Sequence, residues 1–287
     1  MIFQSRLFVL FIFMSISSCG ISEHAIESAS DVLNDTGIDS CSENFSALPG
    51  AWSSNIECAL INWIGNWWGL EQDAYFGRDV LAASGTLKKI GTGTAGFDYT
   101  RLDHSGNPLE IQTIPWDDNG SQVQNSQWDC VIDNVTGLWW ETKLNNSSAL
   151  RYKAHTYTWY NSDPLTNGGD SGSELGGNCV GVSDTARCNT SSYVSAVNQT
   201  LLCGKDDWRI PTIEELLTLV QRGRPSIAID QNHFLNTILS QWTWSSSPDP
   251  MCPTCAWDAK FDDGSDNVGH KEDENLIRLV RGLAKHR

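Results

Sequence analysis

Two cysteines near the carboxyl end, Cys252 and Cys255, are separated by a proline and a threonine. A C-x-x-C pair can bind zinc, take part in thiol–disulfide exchange or form a structural cross-link. Redox sites of the thioredoxin type place the pair between a strand and a helix, whereas here it lies between strand-like runs at residues 242–246 and 256–261. The 6 histidines show no H-x-x-x-H-like spacing that would complete a zinc site. We therefore expect a structural disulfide in a loop.

An acidic stretch follows the C-x-x-C pair and could supply oxygen ligands for calcium. Its members are Asp258, Asp262, Asp263, Asp266, Glu272, Asp273 and Glu274. The run over residues 262–267 does not follow the spacing of an EF-hand loop, and the Glu-Pro-Asn and Trp-Asn-Asp motifs of calcium-dependent lectins are missing from the sequence. We therefore expect a solvated hairpin turn and no cofactor, with calcium as the one ion left open.

Aromatic residues offer a second kind of chemistry, because their rings can stack on the apolar faces of sugars. The chain has 13 tryptophans, and our candidates for a ligand-binding surface are Trp159, Tyr160, Trp242 and Trp244. Packing in a core is the alternative for each of them. Since alternate residues of a strand share a face, Trp242 and Trp244 should be both exposed or both buried.

Sequence signals of catalysis are missing. The chain contains no G-x-S-x-G, Walker loop, G-x-G-x-x-G or H-E-x-x-H motif, and no catalytic pair can be selected among 35 acidic residues without geometry. The sequence therefore indicates no reaction, and we name no catalytic residue and no metal ligand.

The amino-terminal residues predict export. Arg6 precedes an apolar run over residues 7–16, which is too short to span a bilayer, and small residues then precede Cys19. This segment resembles the lipobox of bacterial lipoproteins, which implies a signal peptide over residues 1–18 and lipidation of Cys19. The resemblance places the protein in the bacterial outer membrane, held by its acyl chains. An ordinary cleaved signal peptide is the alternative, and it also exports the protein.

Cysteine usage fits an oxidising compartment. The chain has 9 cysteines, so an even number remains if Cys19 carries lipid. Eight cysteines allow about 105 pairings, and the sequence alone does not choose among them. Short loops favour the hypothetical pairs Cys41–Cys58, Cys179–Cys188 and Cys252–Cys255, which leaves Cys130–Cys203 as the long-range pair.

Composition and charge narrow the class of protein. The 287 residues are 40% hydrophobic and 10% aromatic, which is too apolar for a disordered chain and enough for one good-sized domain or two small ones. Acidic residues outnumber basic ones 35 to 19, and the net charge is −16. Because nucleic acid is held mainly by Lys and Arg on phosphates, we expect no nucleic-acid partner.

The composition also changes along the chain. Residues 19–50 are rich in serine and acidic side chains and predict a flexible tether. Residues 51–127 carry tryptophans and short apolar segments between turn residues, and we expect this N-terminal extension to pack on the core of a domain at residues 128–283. The long Gly/Ser/Asn-rich segment 161–190 predicts a loop closed by a disulfide.

Two helices and several strands are expected in the later half. Tyr193, Val194 and Val197 recur at helical spacing. Thr212 and Glu215 form a capping box ahead of an apolar stripe, with Gly223 in the place of a helix-ending glycine. Strands are predicted within residues 136–141, 157–160, 242–246, 256–261 and 276–281. Short strands with two short helices predict an α+β fold.

Five segments, taken in order, resemble the motif series of the Lcl C-terminal domain family. They are DCV with DNVTGLWWE at 129–141, YTWY at 157–160, DWRIPT with EEL at 207–216, WTWSSS at 242–247 and IRLVRG at 277–282. Each motif is weak alone, and the set is specific. The resemblance implies a C-type-lectin-like fold of short twisted antiparallel strands and long disulfide-stapled loops. It also implies an exported, often surface-displayed binding module.

The segment Arg209-Ile210-Pro211-Thr212 with Glu214 is also similar to the R-L-P-T-E segment of formylglycine-generating enzymes. Those enzymes depend on a pair of copper-binding cysteines, and here every mature cysteine can be placed in a disulfide. We therefore expect this segment to form a strand-to-helix turn, with Trp208 in the core.

These expectations converge on a non-catalytic, lipid-anchored binding or adhesion module. Its partner would be a carbohydrate or protein ligand at the cell surface. The sulfated glycosaminoglycan bound by the adhesin that names the family is not carried over, because a net charge of −16 repels polyanions. Two alternatives stay open, namely an enzyme related to the formylglycine-generating oxidases and a scaffold or assembly protein of the cell envelope.

Overall fold

The computed structural model describes residues 77–224 and 226–283. The predicted signal peptide and tether, together with Cys19, Cys41 and Cys58, lie outside the described residues. Among the residues described, no helix has the length and apolar character needed to cross a membrane.

One antiparallel sheet contains four strands. These are β1 (Tyr99–Leu102), β2 (Cys130–Asp133), β3 (Trp139–Glu141) and β7 (Val280–Arg281), in the order β1-β2-β3-β7. The turn between β2 and β3 is the one predicted around Thr136 and Gly137. Asp133 accepts a hydrogen bond from the Thr136 hydroxyl at 2.7 Å, and Gly137 supplies the φ of 79° that the turn requires. Strand β1 belongs to the predicted extension, and the boundary after residue 127 stays a prediction.

A second antiparallel sheet contains β4 (Thr243–Asp249), β5 (Cys252–Ala259) and β6 (Asp266–His270). The expectation that the C-x-x-C pair lies in a loop is wrong, because Cys252 opens β5 opposite Asp249 and Cys255 pairs with His270. The predicted hairpin turn in the acidic stretch is confirmed between β5 and β6, where Lys260 N–H donates to the Ser265 carbonyl at 3.0 Å.

The helices within the described residues are short. They are α1 (Arg78–Ala83), α2 (Thr190–Gln199) and α3 (Ile213–Leu217), with a 3₁₀ turn at Leu202–Gly204. Two helices were expected, and α1 was missed because it has no apolar stripe: Asp79 is its only buried residue. The capping box of Thr212 and Glu215 is confirmed.

Helix α3 ends well before Gly223, so the predicted helix end is wrong. Thr218 is the C-cap residue, and its hydroxyl donates to the Glu215 carbonyl at 2.7 Å. The chain then leaves the helix, and Gln221 N–H donates to the Ala228 carbonyl at 3.0 Å. The apolar stripe continues into this turn, as the burial of Val220 shows.

One predicted strand is replaced by isolated bridges, and another is shortened to two residues. Residues 157–160 pair one at a time with several segments, so they do not form a regular ladder. Trp159 N–H donates to the Lys271 carbonyl at 2.9 Å, and Ser173 N–H donates to the Trp159 carbonyl at 3.0 Å. Of residues 276–281, only Val280–Arg281 forms a strand, while Leu276 makes a single parallel bridge with Thr243.

Buried tryptophans fill the core between the sheets and the helices. Trp128, Trp140, Trp159, Trp208 and Trp244 are each 2% exposed or less. One cluster joins the four-stranded sheet to α3 and β5, and the other surrounds α2. The short antiparallel sheets, few helices and shared core make the fold α+β.

Three disulfides cross-link the described part of the chain. They are Cys130–Cys203, Cys179–Cys188 and Cys252–Cys255, and all three are pairs that the sequence predicted. Cys130–Cys203 ties β2 to the 3₁₀ turn. Cys179–Cys188 closes the long loop ahead of α2.

Candidate functional site

The four aromatic candidates do not form one surface. Trp159 and Trp244 are 2% and 0% exposed, so their prediction as surface ligand-binding residues is wrong. Each ring can be buried because its indole N–H donates to a backbone carbonyl. The acceptor is the Ser245 carbonyl at 2.9 Å for Trp159 and the Tyr157 carbonyl at 2.8 Å for Trp244. Trp242 precedes β4 and is half-buried, with the Lys260 ammonium 5.3 Å from its ring. Trp242 is half-buried and Trp244 is buried, so the two are neither both exposed nor both buried, contrary to what was expected.

Trp159 and Tyr160 both border open space, but Trp159 is almost fully covered and Tyr160 is the accessible one of the two. It is half-buried, and its backbone is fixed on both sides. Its N–H donates to the Thr190 hydroxyl at 2.9 Å, and the same hydroxyl donates to the Tyr160 carbonyl at 2.8 Å. An antiparallel β-bridge to Gly172 fixes the other side of the Tyr160 backbone. The ring is thereby placed at the beginning of α2, between two concavities.

The first concavity has a volume of about 530 Å³ and lies between Tyr160 and the Arg209–Thr212 turn. Its floor is Trp159, and its walls carry the polar side chains of Asn161, Ser162, Thr166, Ser191, Thr212 and Ser246. Hydroxyl and amide groups on an aromatic floor can hydrogen-bond and pack against a hydroxylated ligand.

The second concavity has a volume of about 580 Å³ and lies on the other side of Tyr160. The exposed face of α2 and the loop closed by Cys179–Cys188 form its walls. Its polar lining residues are Glu174, Ser183, Arg187, Asn189, Ser191, Ser192, Ser195, Gln199 and Thr200. Tyr160 and Ser191 line both concavities, and we call the combined surface the Tyr160 groove.

The charges in the Tyr160 groove are already paired. Arg209 donates to both carboxylate oxygens of Glu215, at 2.7 and 2.6 Å. The hydrogen bond to Glu215 raises the pKa of Arg209 above its ordinary value. In the second concavity, Arg187 forms an ion pair with Glu174. The groove therefore offers hydroxyls and amides, and its two arginines are neutralised by acidic partners.

The start of α2 is fixed by its N-cap residue. The Asn189 side chain accepts from Ser192 N–H at 2.9 Å and donates to the Glu174 carbonyl at 2.7 Å. Asn189 thus joins the helix to the opposite wall of the second concavity. Sequence reasoning missed Ser191 and Ser192 as lining residues. The signal was the run of hydroxyl residues Thr190-Ser191-Ser192 at a helix start, which also serves as an ordinary helix beginning.

Asn161, Ser162 and Thr166 line the first concavity, and the segment that carries them, residues 161–172, packs against the hairpin between β4 and β5. A buried lysine, Lys271, joins the two. Its ammonium donates to the carbonyls of Asn167 at 2.8 Å, Asp170 at 2.7 Å and Pro253 at 2.6 Å. It also lies 4.4 Å from the Trp159 ring centre. We call this arrangement the Lys271 clasp.

Residues 129–281 match the family model described as the Lcl C-terminal domain. The chain belongs to this family. No curated protein and no solved structure matches the chain. The matched region of the Lcl C-terminal domain includes the Tyr160 groove, the Lys271 clasp and the three disulfides described.

A buried charged cluster lies beneath β3 of the Lcl C-terminal domain. Glu141 accepts from the Lys143 ammonium at 3.0 Å and from Leu279 N–H at 2.9 Å, and the Tyr193 hydroxyl also donates to it. Burial lowers the pKa of Lys143 to about 8, against the opposing charge of Glu141. Arg278 donates to the Glu141 carbonyl at 2.6 Å. These contacts join α2, β3 and the segment before β7, so the cluster holds elements together beneath the groove.

A hydroxyl–imidazole–carboxylate chain connects Thr92, which lies ahead of β1 and outside the matched region, to His233 and Asp230 within that region. Thr92 Oγ1 is 2.9 Å from His233 Nε2, and His233 Nδ1 is 3.3 Å from Asp230 Oδ2. These three groups stand in the same order as the nucleophile, the base and the acidic residue of a catalytic triad. However, Thr92 lies outside both concavities of the groove, and Thr94 N–H also donates to Asp230 at 3.2 Å. These contacts fix the segment before β1 to the rest of the domain.

The acidic stretch does not gather into a metal site. Across residues 77–224 and 226–283, no group of three or more His, Cys, Asp or Glu side chains is arranged to hold a metal ion. Asp258 turns into the core and is 1% exposed. Burial raises its pKa to about 7, although the amides of Asn267 and Asn275 oppose the shift.

Proposed function

We propose that this protein binds a neutral, hydroxyl-rich carbohydrate in the Tyr160 groove and does so without catalysing a reaction. The observation that carries the proposal is the meeting of two concavities at one half-buried tyrosine, with hydroxyl and amide side chains among the apolar residues of both walls. A pyranose ring can stack on Tyr160 while its hydroxyls exchange hydrogen bonds with Asn161, Thr166 and Ser191.

The charge distribution supports a neutral ligand over a sulfated one. Arg209 and Arg187 are the basic residues of the groove, and each is paired with a glutamate. The net charge of −16 adds a long-range repulsion toward polyanions. A sulfated glycosaminoglycan would have to displace both glutamates, whereas a neutral sugar would not.

The proposal extends to fold and location. Short antiparallel strands, long loops and a groove formed by those loops are compatible with a C-type-lectin-like fold, which the family resemblance implies. We further propose that Cys19 is lipidated and that the protein is an exported lipoprotein of the bacterial outer membrane. Surface adhesion is then the role that such a groove would serve.

The test uses the full chain on an array of neutral oligosaccharides, with heparin as the sulfated comparison. We expect a neutral glycan to bind and heparin not to bind. Tyr160→Ala should weaken binding about tenfold, because the ring is a stacking surface worth about 1 kcal/mol or more. Tyr160→Phe keeps the ring and should retain most of the affinity. Raising the salt concentration should change the affinity little, since no ion pair forms with the ligand.

A matched control is Trp242→Phe, because Trp242 is half-buried and lies outside both concavities. It should leave glycan binding unchanged. Equal binding by wild type and Tyr160→Ala would contradict the groove as the site. A chemically altered sugar recovered after incubation would favour the enzymatic alternative. A stoichiometric protein partner cross-linked in whole cells, without any bound glycan, would favour the scaffold alternative.

A further inference from the structure

The disulfide that opens β5 differs from the other two in its access to solvent. Cys130 and Cys203 are both 0% exposed, and Cys179 and Cys188 are 5% and 0% exposed. In the Cys252–Cys255 pair, Cys255 is 6% exposed, Cys252 is half-buried, and the two residues between them are exposed. An external thiol can therefore reach the Cys252 sulfur while the other disulfides are covered.

A histidine lies beside the inner sulfur. His270 on β6 pairs across the sheet with Cys255, and its Nδ1 is 3.8 Å from Cys255 Sγ. The His270 side chain is on an exposed residue, and its backbone N–H donates to Asp273 at 2.9 Å. A thiolate that formed on Cys255 would have an imidazole within reach to donate a proton or a charge-assisted hydrogen bond.

The same disulfide contributes little to holding the fold. It closes a ring of sequence separation 3, compared with 9 and 73 for the other pairs. Since the stabilisation by a disulfide grows with the length of the loop it closes, this pair stabilises the fold least. Opening it is compatible with a folded domain.

We propose that Cys252–Cys255 is an exchangeable disulfide that reacts with an external dithiol and thereby loosens one wall of the Tyr160 groove. A thiolate of the dithiol attacks Cys252 Sγ, so that a mixed disulfide forms and the Cys252–Cys255 bond breaks. The electron pair leaves on Cys255 Sγ beside His270. The second thiol of the dithiol then attacks the mixed disulfide and releases Cys252, so two electrons and two protons pass to the cysteine pair.

The route from the disulfide to the groove is the Lys271 clasp. Pro253 lies between the two cysteines, and its carbonyl accepts from the Lys271 ammonium at 2.6 Å. The same ammonium binds the carbonyls of Asn167 and Asp170, in the segment that carries the groove-lining residues Asn161, Ser162 and Thr166. Reduction frees the Pro253 backbone, which removes one of the three carbonyls that fix the ammonium. Residues 161–172 then become more mobile, and any effect on ligand affinity rests on the proposed function.

The experiment reduces the native full chain with dithiothreitol, alkylates the free thiols at intervals and maps them by mass spectrometry. Cys252 and Cys255 should become alkylated at least about tenfold faster than the other four described cysteines. His270→Asn should slow this step about tenfold and lower the ultraviolet thiolate absorbance of the reduced protein. His104→Asn, at an exposed histidine bonded to Asp129, is the matched control and should change neither value.

Amide hydrogen exchange supplies the second readout and needs no ligand. Reduction, or the Cys252→Ser/Cys255→Ser variant, should raise exchange across residues 161–172 and leave β1 and β2 unchanged. Equal reduction rates for the three disulfides would overturn the proposal. So would a His270→Asn rate equal to that of wild type, or unchanged exchange in residues 161–172. If these results hold and no glycan binds, the exchangeable disulfide stands and the proposed function fails.

Discussion

At the residue scale, tryptophan cross-links distant parts of this chain. The indole N–H of Trp128 donates to the His233 carbonyl at 2.9 Å, and Trp159 and Trp244 reach equally distant carbonyls. A backbone acceptor has no sequence signature, so no pattern could tell these rings from surface rings. Tyr160 has its backbone fixed by the Thr190 hydroxyl, and its ring is half-buried at the edge of both concavities.

Asp258 is a buried carboxyl whose ionisation opposes folding. Its pKa of about 7 is above the ordinary value of 3.8, because burial penalises the charged form. Between those two pH values the folded protein binds more protons than the unfolded chain. The free energy of unfolding should therefore fall as pH rises from about 4 to about 7, by on the order of 4 kcal/mol from this group.

Asp258→Asn tests this contribution through urea unfolding across the same pH range. The variant should lose the downward slope and be more stable than wild type above about pH 7. Asp266→Asn, on the exposed end of β6, is the control and should keep the slope. The pKa values of Asp129 and Asp230 are lowered, because the arginine partner of Asp129 and the histidine partner of Asp230 outweigh the effect of burial. These two groups therefore change the free energy of unfolding only at lower pH. An unchanged slope in Asp258→Asn would show that other groups dominate.

At the element scale, α3 exists because its first turn is capped from both sides. The Thr212 hydroxyl accepts from Glu215 N–H at 3.2 Å, and the Glu215 carboxylate accepts from Thr212 N–H at 2.9 Å. Arg209 then binds the same carboxylate, which connects the cap to a wall of the Tyr160 groove. The cap therefore stabilises the helix and positions the groove.

Thr212→Val removes the capping oxygen while keeping the side-chain volume. We expect it to lower the free energy of unfolding by about 1 kcal/mol, since four helix N–H groups lose one partner. Thr212→Ser keeps the hydroxyl and should cost only a few tenths of that value, which makes it the control. Chemical denaturation of the three proteins measures the difference. A larger loss for Ser than for Val would mean that the threonine methyl group, and not the cap, matters.

The elements that the sequence predicted are those with local causes. The Thr212 cap, the turn at Gly137 and the hairpin after β5 each depend on residues a few positions apart. The end of α3 and the bridges of residues 157–160 depend on distant partners such as Ala228 and Lys271. The groove shares this property, because its two walls come together only through long-range contacts. Of the four aromatic candidates, Tyr160 and the nearly covered Trp159 border the groove, and no local pattern distinguished them from Trp244 in the core.

At the scale of the whole molecule, the three described disulfides close rings of very different size and therefore stabilise the fold to different extents. Cys130–Cys203 closes a separation of 73 residues, and Cys179–Cys188 and Cys252–Cys255 close 9 and 3. Loop-closure entropy gives about 4, about 3 and about 2 kcal/mol for these rings. The long ring joins the four-stranded sheet to the α2 side of the core, so it restrains the unfolded chain most.

Pairwise Cys→Ala variants test this ranking by thermal unfolding under non-reducing conditions. Removing Cys130–Cys203 should lower the melting temperature most and removing Cys252–Cys255 least. The order depends on ring size alone and is independent of any ligand. A larger loss from the Cys252–Cys255 variant than from the Cys179–Cys188 variant would contradict it.

Lys271 gives the protein a cation that belongs to its own covalent structure. A bound metal ion that holds a loop in place can dissociate, be exchanged or be removed by a chelator. The conformation of such a loop then depends on the ion concentration of the solution. An ammonium on a side chain is present at fixed stoichiometry from synthesis onward, with its three hydrogens on the carbonyls of Asn167, Asp170 and Pro253. The wall it holds should keep one shape in ion-rich and ion-poor surroundings alike.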